Sequence, residues 1–281
     1  MINVSRLSLS HGGKVLFKDL SFHLGKGQIA AIMGTNGRGK TTLLRAILGL
    51  IPSQQGDTCL SAEVAYVPQQ ESITFPYTVR TMVMLGRVRH MRWYASPGIV
   101  DRDITQSCLE LMGLLPLADK PFDQLSGGER QLVCIARALA SEPEIIILDE
   151  PASALDLSNQ DRVLSTLRAL STRQGITVLF TTHSPQHAQH IADNTLLLYP
   201  EGEYLYGPSG EILTDEPLTR LYTLPIHVAK VNYQQRVLEP IIPIFSDNQQ
   251  QNTGSTYTEP APPNCCNVVS SAWRSSSRSW R

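Results

Sequence analysis

The chain has 281 residues, of which 42% are apolar and 17% are charged, and its formal net charge is −1. These values are typical of a globular protein of one large or two modest domains, and they exclude a strongly basic chain whose whole surface would attract nucleic acid or anionic lipid. Because no apolar run reaches the ~18 residues that cross a bilayer and the first residues lack the pattern of a signal peptide, we expect a cytosolic protein.

The N-terminal part predicts antiparallel strands that lead into a buried strand. Apolar residues alternate with polar ones in two runs that a Gly12-Gly13 turn separates, namely Leu7 and Leu9, then Leu20, Phe22 and Leu24. The unbroken apolar run at 29–33 indicates a strand that is covered on both faces, as in a parallel sheet. A glycine-rich loop follows, and then a helix with one apolar face formed by Leu43, Leu44, Ile47 and Leu48.

The rest of the chain to about residue 206 alternates helices with strands. We predict helices over 101–115, 128–141, 158–173 and 185–192, and strands at 145–148, 176–181 and 195–198, the last pairing with residues near 204–206. This alternation indicates an α/β layered domain over 1–228, with a helical insertion at about 70–140 and an extension at 229–245. The polar composition of 246–281 predicts a disordered tail, although its Trp and Arg residues could touch a membrane surface.

The glycine-rich loop matches the pattern G-x-x-x-x-G-K-[ST], which is typical of phosphate-binding loops between a strand and a helix. Its residues are Gly34, Thr35, Asn36, Gly37, Arg38, Gly39, Lys40 and Thr41, and Thr42 continues the helix. Glycines let backbone N–H groups curve around phosphate oxygens, and the positive end of the helix attracts the same anion. We expect Lys40 to contact the β- and γ-phosphates and Thr41 to offer its hydroxyl to Mg²⁺. The loop therefore predicts a site for a nucleoside triphosphate.

Two adjacent acids, Asp149 and Glu150, follow the predicted buried strand at 145–148. An acid at the end of a strand can hold Mg²⁺ through water, which suits Asp149. Glu150 can act as the general base that activates a water molecule. An ordinary acidic turn is the alternative reading of this dipeptide, but the phosphate loop in the same chain favours the catalytic interpretation.

A Ser-Gly-Gly run from Ser126 to Gly128 opens the helix predicted at 128–141. It makes a second helix N-terminus that can attract an anion. One chain therefore holds one phosphate loop and one such terminus, far apart in the sequence. Two chains arranged head to tail could place each terminus over the triphosphate of the other, and so this pattern predicts a dimer.

In the order of its motifs, the sequence resembles the nucleotide-binding subunits of ABC transporters over residues 34–183, and more loosely from the first strand to about residue 228. The motifs that carry the resemblance are the phosphate loop, Tyr66-Val67-Pro68-Gln69, Leu125 to Gln131, Leu148 to Pro151, Ser153-Ala154-Leu155-Asp156 and Thr182-His183-Ser184. The resemblance implies a P-loop NTPase core of α/β class with a mixed sheet, an N-terminal antiparallel β-subdomain and a helical insertion.

The same resemblance implies roles for individual residues. Ser126 and Gly128 would face the γ-phosphate that the partner chain binds, and Asp156 would lie in the loop that crosses the dimer interface. Gln69 would sense the metal, the water and the γ-phosphate. His183 would be the switch histidine that contacts the γ-phosphate.

Two positions depart from the family pattern. His11 stands where the family usually has an aromatic residue that stacks on adenine. A neutral imidazole can also stack, so we predict an adenine contact for His11, with an ordinary hairpin residue as the alternative because Gly12-Gly13 makes a turn there. Arg38 replaces a residue that is commonly small in the family, and it either points to solvent or adds charge near the phosphates.

The resemblance further implies ATP and Mg²⁺ as ligands, a homodimer of ATPase subunits, and peripheral binding to a membrane permease on the cytoplasmic face of the inner membrane. An extracytoplasmic substrate-binding protein would take part indirectly.

The stretch from Tyr77 to Arg87, followed by Asp101-Arg102-Asp103, is similar to importers of iron-siderophore, haem or cobalamin chelates and their molybdate-type relatives. The short stretch of sequence from Lys40 to Gln69 is similar both to molybdate-type importers and to zinc or manganese importers, and a zinc or manganese importer is therefore an alternative. A soluble ABC ATPase that acts on nucleic acid or the ribosome is a second alternative, although such proteins usually carry tandem domains or a coiled-coil insertion.

Two further patterns allow more than one interpretation. Residues 80–94 mix arginines with methionines and aromatic residues, namely Arg80, Arg87, Arg89, Arg92, Met84, Met91, Trp93 and Tyr94. Such a mixture is typical of protein interfaces, so we predict a docking surface for a helix of the membrane subunit rather than an RNA contact.

His183, His187 and His190 have helix-like spacing, which a metal site could use. We expect a solvated helix face instead, because no nearby Cys or acid completes a ligand set.

Overall fold

The computed structural model describes residues 1–11, 14–69, 76–153, 155–234 and 236–245. These residues belong to one compact unit, Met1–Phe245. The predicted tail at 246–281 and the Gly12-Gly13 turn lie outside the described residues.

A mixed six-stranded sheet forms the centre of the molecule. Its strands are β3 (Ile29–Met33), β5 (Val64–Val67), β6 (Ile145–Leu148), β7 (Thr177–Thr182), β8 (Asn194–Leu198) and β9 (Tyr204–Pro208). They lie in the order β5-β6-β7-β3-β8-β9. The first five strands in this order pair in parallel, and β9 pairs antiparallel with β8. Every residue of β3 and β6 is buried, which confirms the prediction from the unbroken apolar runs, and every residue of β7 is buried as well.

A separate antiparallel sheet covers the N-terminal part of the chain. It consists of β1 (Ile2–His11), β2 (Lys14–Leu24) and β4 (Gln55–Leu60), in the order β2-β1-β4. Leu7 pairs with Leu20, and both side chains are fully buried, as the alternating pattern predicts. The third strand, β4, was not predicted, since its sequence QGDTCL is polar and none of its residues is fully buried.

The helices pack on the two faces of the central sheet or form the block between the strands β5 and β6. They are α1 (Lys40–Ile47), α2 (Val79–Met84), α3 (Ile99–Leu111), α4 (Gly127–Ala140), α5 (Leu157–Gln174), α6 (Pro185–Ile191), α7 (Ser209–Ile212) and α8 (Asp215–Tyr222). Short 3₁₀ helices occupy Leu85–His90, Leu115–Leu117, Phe122–Gln124 and Pro200–Gly202. None of the helices within the described ranges combines the length and the apolar character that a bilayer crossing requires.

The helix predicted over 101–115 is shorter than expected. It ends at Leu111, because Gly113 adopts a φ of 62°, a left-handed conformation that stops an α-helix. Residues 115–117 then form a separate 3₁₀ turn.

The last residues of the predicted 1–228 domain and the extension at 229–245 together form two short strand pairs. β10 (Ile226–Val228) pairs with β13 (Ile241–Pro243), and β11 (Val231–Tyr233) pairs with β12 (Arg236–Leu238). Two glutamines of α6 tie this extension to the core, since Gln186 donates to the carbonyl of Ile241 at 3.2 Å and Gln189 to that of Glu239 at 2.7 Å. These strands were not predicted from the sequence.

The parallel strands β3, β6 and β7 determine where the predicted site residues meet. The carboxyl ends of neighbouring parallel strands open on the same edge of a sheet. The glycine-rich loop follows β3, Asp149 and Glu150 follow β6, and His183 follows β7. These segments therefore come together at one edge.

Candidate nucleotide-binding site

The loop between β3 and α1 has the backbone that a phosphate-binding turn requires. Gly37 and Gly39 have φ values of 77° and 82°, which L-residues with a side chain rarely adopt. A Cβ atom at Gly39 would also lie 2.9 Å from Cζ of Phe17, on β2. Glycine is therefore required at position 39 by both its conformation and its packing.

Lys40 places a buried cationic group at the centre of this loop. Only 7% of the residue is exposed, and its Nζ donates to the carbonyl of Gly34 at 2.9 Å. The same Nζ lies 3.2 Å from Oε1 of Glu150, whose side chain is also largely buried. A buried charge needs such partners, so the loop and the acid together hold the ammonium group in place.

Thr181 fixes the backbone and the side chain of the two acids after β6. Its hydroxyl donates to Oδ1 of Asp149 at 2.6 Å and accepts from the backbone N–H of Glu150 at 2.8 Å. Glu150 adopts a φ of 47°, and such left-handed conformations of residues other than glycine cluster at functional sites. Sequence reasoning missed Thr181. The one available signal was a polar residue near the end of an otherwise apolar strand.

Gln69 and His183 both reach the carboxylate of Glu150. Nε2 of Gln69 lies 3.3 Å from Oε2 of Glu150, and Nδ1 of His183 lies 3.4 Å from the same oxygen. Lys40 approaches the other oxygen. Three side chains from different segments therefore converge on one carboxylate.

A cavity of about 710 Å³ lies over these groups. Its lining consists of residues 35–42 together with Gln69, Glu150, His183 and Tyr222. Gly34 and Asp149 are not among the lining residues. The carbonyl of Gly34 accepts a hydrogen bond from Nζ of Lys40, and Asp149 is a buried acid next to Glu150 in the sequence. Tyr222, at the end of α8, was not predicted as part of the site.

These residues fit a triphosphate and a hard divalent cation. The positive end of α1, the glycine turn and the ammonium group of Lys40 all favour a phosphate group. Hydroxyl, amide and carboxylate oxygens, which Mg²⁺ prefers, are supplied by Thr41, Gln69 and Asp149.

Ser126, Gly128 and Asp156 are not among the residues that line this cavity. Ser126 is the exposed N-cap of α4, where it accepts from the N–H of Glu129 at 3.3 Å and donates its own N–H to Oε2 of Glu129 at 2.8 Å. These bonds from Ser126 hold the pKa of Glu129 below its usual value. The structure therefore brings the phosphate loop and the two acids together, but not the Ser-Gly-Gly terminus.

The termini of α4 and α5 contact each other instead. Asp156 caps α5 by accepting from the N–H of Asn159 at 2.8 Å, a bond that lowers the pKa of the carboxyl group. A Cβ atom at Gly128 would lie 2.5 Å from Cγ of Asn159. Gly128 is therefore the position at which the two helix termini approach closely.

The two departures from the family pattern have different outcomes. The side chain of His11 lies outside the described residues, so its adenine contact stays a prediction. Nε of Arg38 donates to the hydroxyl of Thr35 at 3.2 Å, which keeps the guanidinium group against the phosphate loop.

The expectation of a solvated face for the three histidines was wrong for His187. It is buried, and its ring nitrogens lie 3.2 Å from the hydroxyl of Thr182 and 3.2 Å from the amide oxygen of Gln160. Burial is the main cause of its lowered pKa, and the neighbouring His183 and His190 add to it. Among the described residues, no group of three or more His, Cys, Asp or Glu side chains is arranged to hold a metal ion.

The predicted docking surface at 80–94 also needs a correction. Arg87 is buried and bonded to α3 and α4, so it is not available to a partner. Trp93 and Tyr94 are 95% and 64% exposed, and the neighbouring Ile99 and Val100 are exposed as well. These four residues leave apolar side chains exposed along the segment 93–100, and we call them the 93–100 patch.

Comparison with known proteins identifies relatives over most of the described chain. The profile of the ABC transporter family matches residues 17–153. The molybdate import ATP-binding protein MolC of Haemophilus influenzae is 43% identical over 230 residues, which cover 82% of this chain and 90% of that protein. The manganese transport system ATP-binding protein MntB of Halalkalibacterium halodurans is 34% identical over 231 residues, which cover 79% and 92%.

Solved structures give a similar result. The ATP-binding chain of a transporter assigned to the metal-chelate type, in an inward-facing conformation, is 40% identical with a TM-score of 0.84, and the match covers 87% of this chain and 97% of that chain. A dimeric ATP-binding cassette in a post-hydrolysis state, bound to ADP and Pi, is 27% identical with a TM-score of 0.65, and the match covers 74% and 99%.

Proposed function

The chain belongs to the ABC transporter family and is an ATP hydrolase of that family, and from this premise we propose that it energises the import of a molybdate-type oxyanion or a metal chelate. In this proposal a separate membrane permease supplies the channel. The chain binds that permease as a peripheral subunit on the cytoplasmic face of the inner membrane, and an extracytoplasmic substrate-binding protein delivers the cargo.

The convergence of three side chains on Glu150 is the observation that carries the proposed mechanism of ATP hydrolysis. Lys40, Gln69 and His183 approach its carboxylate within 3.2, 3.3 and 3.4 Å, directly beside the phosphate loop. A carboxylate that lines the phosphate cavity is placed to accept a proton from a water molecule beside the γ-phosphate.

Each residue of the site then has a separate role in hydrolysis. Glu150 is the general base that takes a proton from the attacking water. Lys40 neutralises charge on the β- and γ-phosphates, while Gln69 and His183 orient the water and the γ-phosphate. Mg²⁺, when bound, polarises the phosphate oxygens, and Thr41, Asp149 and Gln69 are the residues that would hold it.

The replacement Glu150→Gln tests this assignment. It removes the proton acceptor but keeps the size of the side chain, so we expect ATP binding to persist and hydrolysis to slow by about 10²–10⁴-fold. Phosphate release and the binding of a fluorescent ATP analogue measure the two properties. Glu144→Gln is the matched control, since Glu144 is an exposed partner of Lys26 and should be neutral. Hydrolysis at the wild-type rate in Glu150→Gln would remove Glu150 from this role.

A homodimer is the second part of the proposal. Ser126 and Gly128 do not line the cavity of their own chain, although the N-terminus of α4 is suited to contact an anion. A head-to-tail pair of chains supplies this terminus to each site. The dimeric relative bound to ADP and Pi supports this arrangement.

The 93–100 patch supports a membrane partner. Trp93, Tyr94, Ile99 and Val100 expose aromatic and aliphatic surface to solvent, and such residues are enriched at protein interfaces. We propose that a cytoplasmic helix of the permease docks there.

The cargo proposal rests on the relatives. The molybdate protein at 43% identity and the metal-chelate type structure at 40% favour an oxyanion or a chelate, while the manganese protein at 34% favours a second candidate, Mn²⁺. Uptake of labelled molybdate, a ferric hydroxamate and Mn²⁺ by cells that lack this gene distinguishes these cargo candidates. Complementation with the wild-type gene is the positive control, and complementation with the Lys40→Ala gene is the negative control. Loss of Mn²⁺ uptake alone would replace the first candidate by the second.

A further inference from the structure

Tyr222 lines the phosphate cavity although it belongs to α8, outside all the motifs that predict the site. Its hydroxyl donates to the backbone carbonyl of His183 at 2.7 Å, across 39 residues of sequence. We propose that Tyr222 is a positioning residue for ATP hydrolysis, which holds the backbone of His183 so that the imidazole faces Glu150. This inference rests on the role proposed above for His183.

The backbone at His183 lies between two regular elements and needs an external partner. β7 ends at Thr182 and α6 begins at Pro185, so neither a strand nor a helix ladder fixes the peptide between them. The N–H of Ser184 turns back to the hydroxyl of Thr182 at 3.0 Å. The carbonyl at the other end of the same peptide accepts the bond from Tyr222, so the Tyr222 and Thr182 hydroxyls together restrain the peptide that carries the imidazole.

The imidazole is close enough to its target for this orientation to matter. Nδ1 of His183 lies 3.4 Å from Oε2 of Glu150, at the outer limit of a hydrogen bond. About half of the His183 side chain is exposed, so few packing contacts restrain it. A small rotation of the peptide would therefore separate the imidazole from the carboxylate, and misplacement of a catalytic group by about 1 Å costs up to about 10²-fold in rate.

Tyr222 is partly buried and packs against the hydrophobic core cluster that includes Ile226 of β10 and Ile241 of β13. It also lines a second, apolar cavity of about 290 Å³, together with Pro185, Ile226 and Ile241. Burial raises the pKa of the Tyr222 phenol above its usual value, so the hydroxyl stays protonated and remains a donor. Because Gln186 also donates to the carbonyl of Ile241, the β10–β13 pair supports both Tyr222 and the start of α6.

The test compares Tyr222→Phe in the wild-type chain with the same change in a His183→Ala chain. Loss of a single hydrogen bond that orients His183 should lower kcat by about five- to tenfold and leave KM for ATP nearly unchanged. In the His183→Ala chain, Tyr222→Phe should have no further effect, because two residues that act through one group are not additive. Release of labelled phosphate at high enzyme concentration resolves the slow rates.

Tyr206→Phe is the matched control. Tyr206 also donates its hydroxyl to a backbone carbonyl, that of His23, but it lies on β9 away from the cavity. This control should keep the wild-type kcat, which separates positioning of His183 from a general loss of stability. Tyr222→Trp should have a lowered kcat like Tyr222→Phe, because its indole N–H does not reach the position from which the Tyr222 hydroxyl donates to the carbonyl of His183.

The outcomes separate this inference from the function on which it rests. If His183→Ala is slow and Tyr222→Phe is normal, the inference on Tyr222 is overturned and the proposed function stands. A second contrary result is that Tyr222→Phe lowers kcat by the same factor in the His183→Ala chain as in the wild-type chain, and a third is that it raises KM and leaves kcat unchanged. Either result would also overturn the inference, since Tyr222 would then act independently of His183. If His183→Ala itself hydrolyses ATP at the wild-type rate, both the role of His183 and the inference are wrong.

Discussion

Individual polar residues behind the cavity hold the catalytic groups in place. Thr181 contacts both Asp149 and Glu150, and Thr182 contacts the ring of His187. Both threonines are buried in β7, where a polar group needs a partner. The site therefore depends on a layer of hydrogen bonds beneath the residues that line it.

The burial of His187 predicts a pH dependence of stability. Its pKa in the folded state is lowered from 6.5 by burial, and by His183 and His190, so the unfolded chain binds the proton more readily. The free energy of unfolding should therefore be fully retained above pH 6.5 and should fall as the pH drops below that value, by at most about 1.4 kcal/mol for each pH unit. Urea unfolding between pH 8 and pH 5 measures it.

The variant His187→Gln isolates this effect. Glutamine does not ionise, so the variant should lose less stability than the wild type over the same pH interval. His23→Gln, at an exposed position of β2, is the control and should follow the wild type. Equal pH dependence of His187→Gln and the wild type would contradict the account of His187.

At the scale of the elements, Arg87 joins the 3₁₀ helix at Leu85–His90 to α3 and α4. Its guanidinium group donates to the carbonyl of Ala140 at 2.8 Å, to Glu142 at 2.7 Å and to Asp101 at 3.1 Å. A Cβ atom at Gly86 would lie 2.1 Å from the carbonyl of Arg137, so this segment packs directly on the backbone of α4. The three elements therefore form one connected block.

Replacement of Arg87 should destabilise this block. Arg87→Met removes a buried cation and leaves Asp101 with the N–H of Gly98 but without its ionic partner, which should lower the free energy of unfolding by about 3 kcal/mol. The control is Arg80→Met, because Arg80 pairs with Asp119, an acid that is 88% exposed, and such surface pairs contribute under about 1 kcal/mol. The midpoint of urea unfolding measures both variants. A loss for Arg87→Met no larger than for Arg80→Met would contradict the role of Arg87.

Elements with strong local patterns were predicted, and elements that depend on distant contacts were not. The apolar runs of β3 and β6 and the apolar face of α1 are visible in the sequence. The strand β4 and the C-terminal strand pairs are short and polar or exposed, so their formation depends on pairing with partners that the sequence does not reveal.

The same distinction applies to the site. Lys40, Gln69, Glu150 and His183 occur in recognisable motifs, and the structure brings them together. Thr181 and Tyr222 act through contacts that span 32 and 39 residues of sequence, and no local pattern distinguishes them from core residues.

At the scale of the whole molecule, the cavity on one chain lacks the Ser-Gly-Gly terminus of α4. The phosphate loop and Glu150 lie at one edge of the central sheet, whereas Ser126 caps α4 and does not line the cavity. Because Ser126 is exposed, it can contact another chain. We therefore propose that each ATP site combines the phosphate loop of one chain with the α4 terminus of its partner.

Mixing two inactive variants tests this claim most directly. Lys40→Ala damages the phosphate loop, and Ser126→Phe blocks the exposed α4 terminus, so neither variant alone should hydrolyse ATP at more than a small fraction of the wild-type rate. In a mixed dimer, the intact loop of the Ser126→Phe chain meets the intact terminus of the Lys40→Ala chain, which restores one complete site. A mixture of Lys40→Ala with the double variant Lys40→Ala/Ser126→Phe contains no intact pair and is the control.

Phosphate release from these mixtures is the decisive measurement. A head-to-tail dimer predicts a rate for the first mixture well above the sum of its two components, and no gain for the control mixture. If the first mixture shows no gain although the two variants form mixed dimers, or if Ser126→Phe alone retains the wild-type rate, the α4 terminus of the partner does not complete the site.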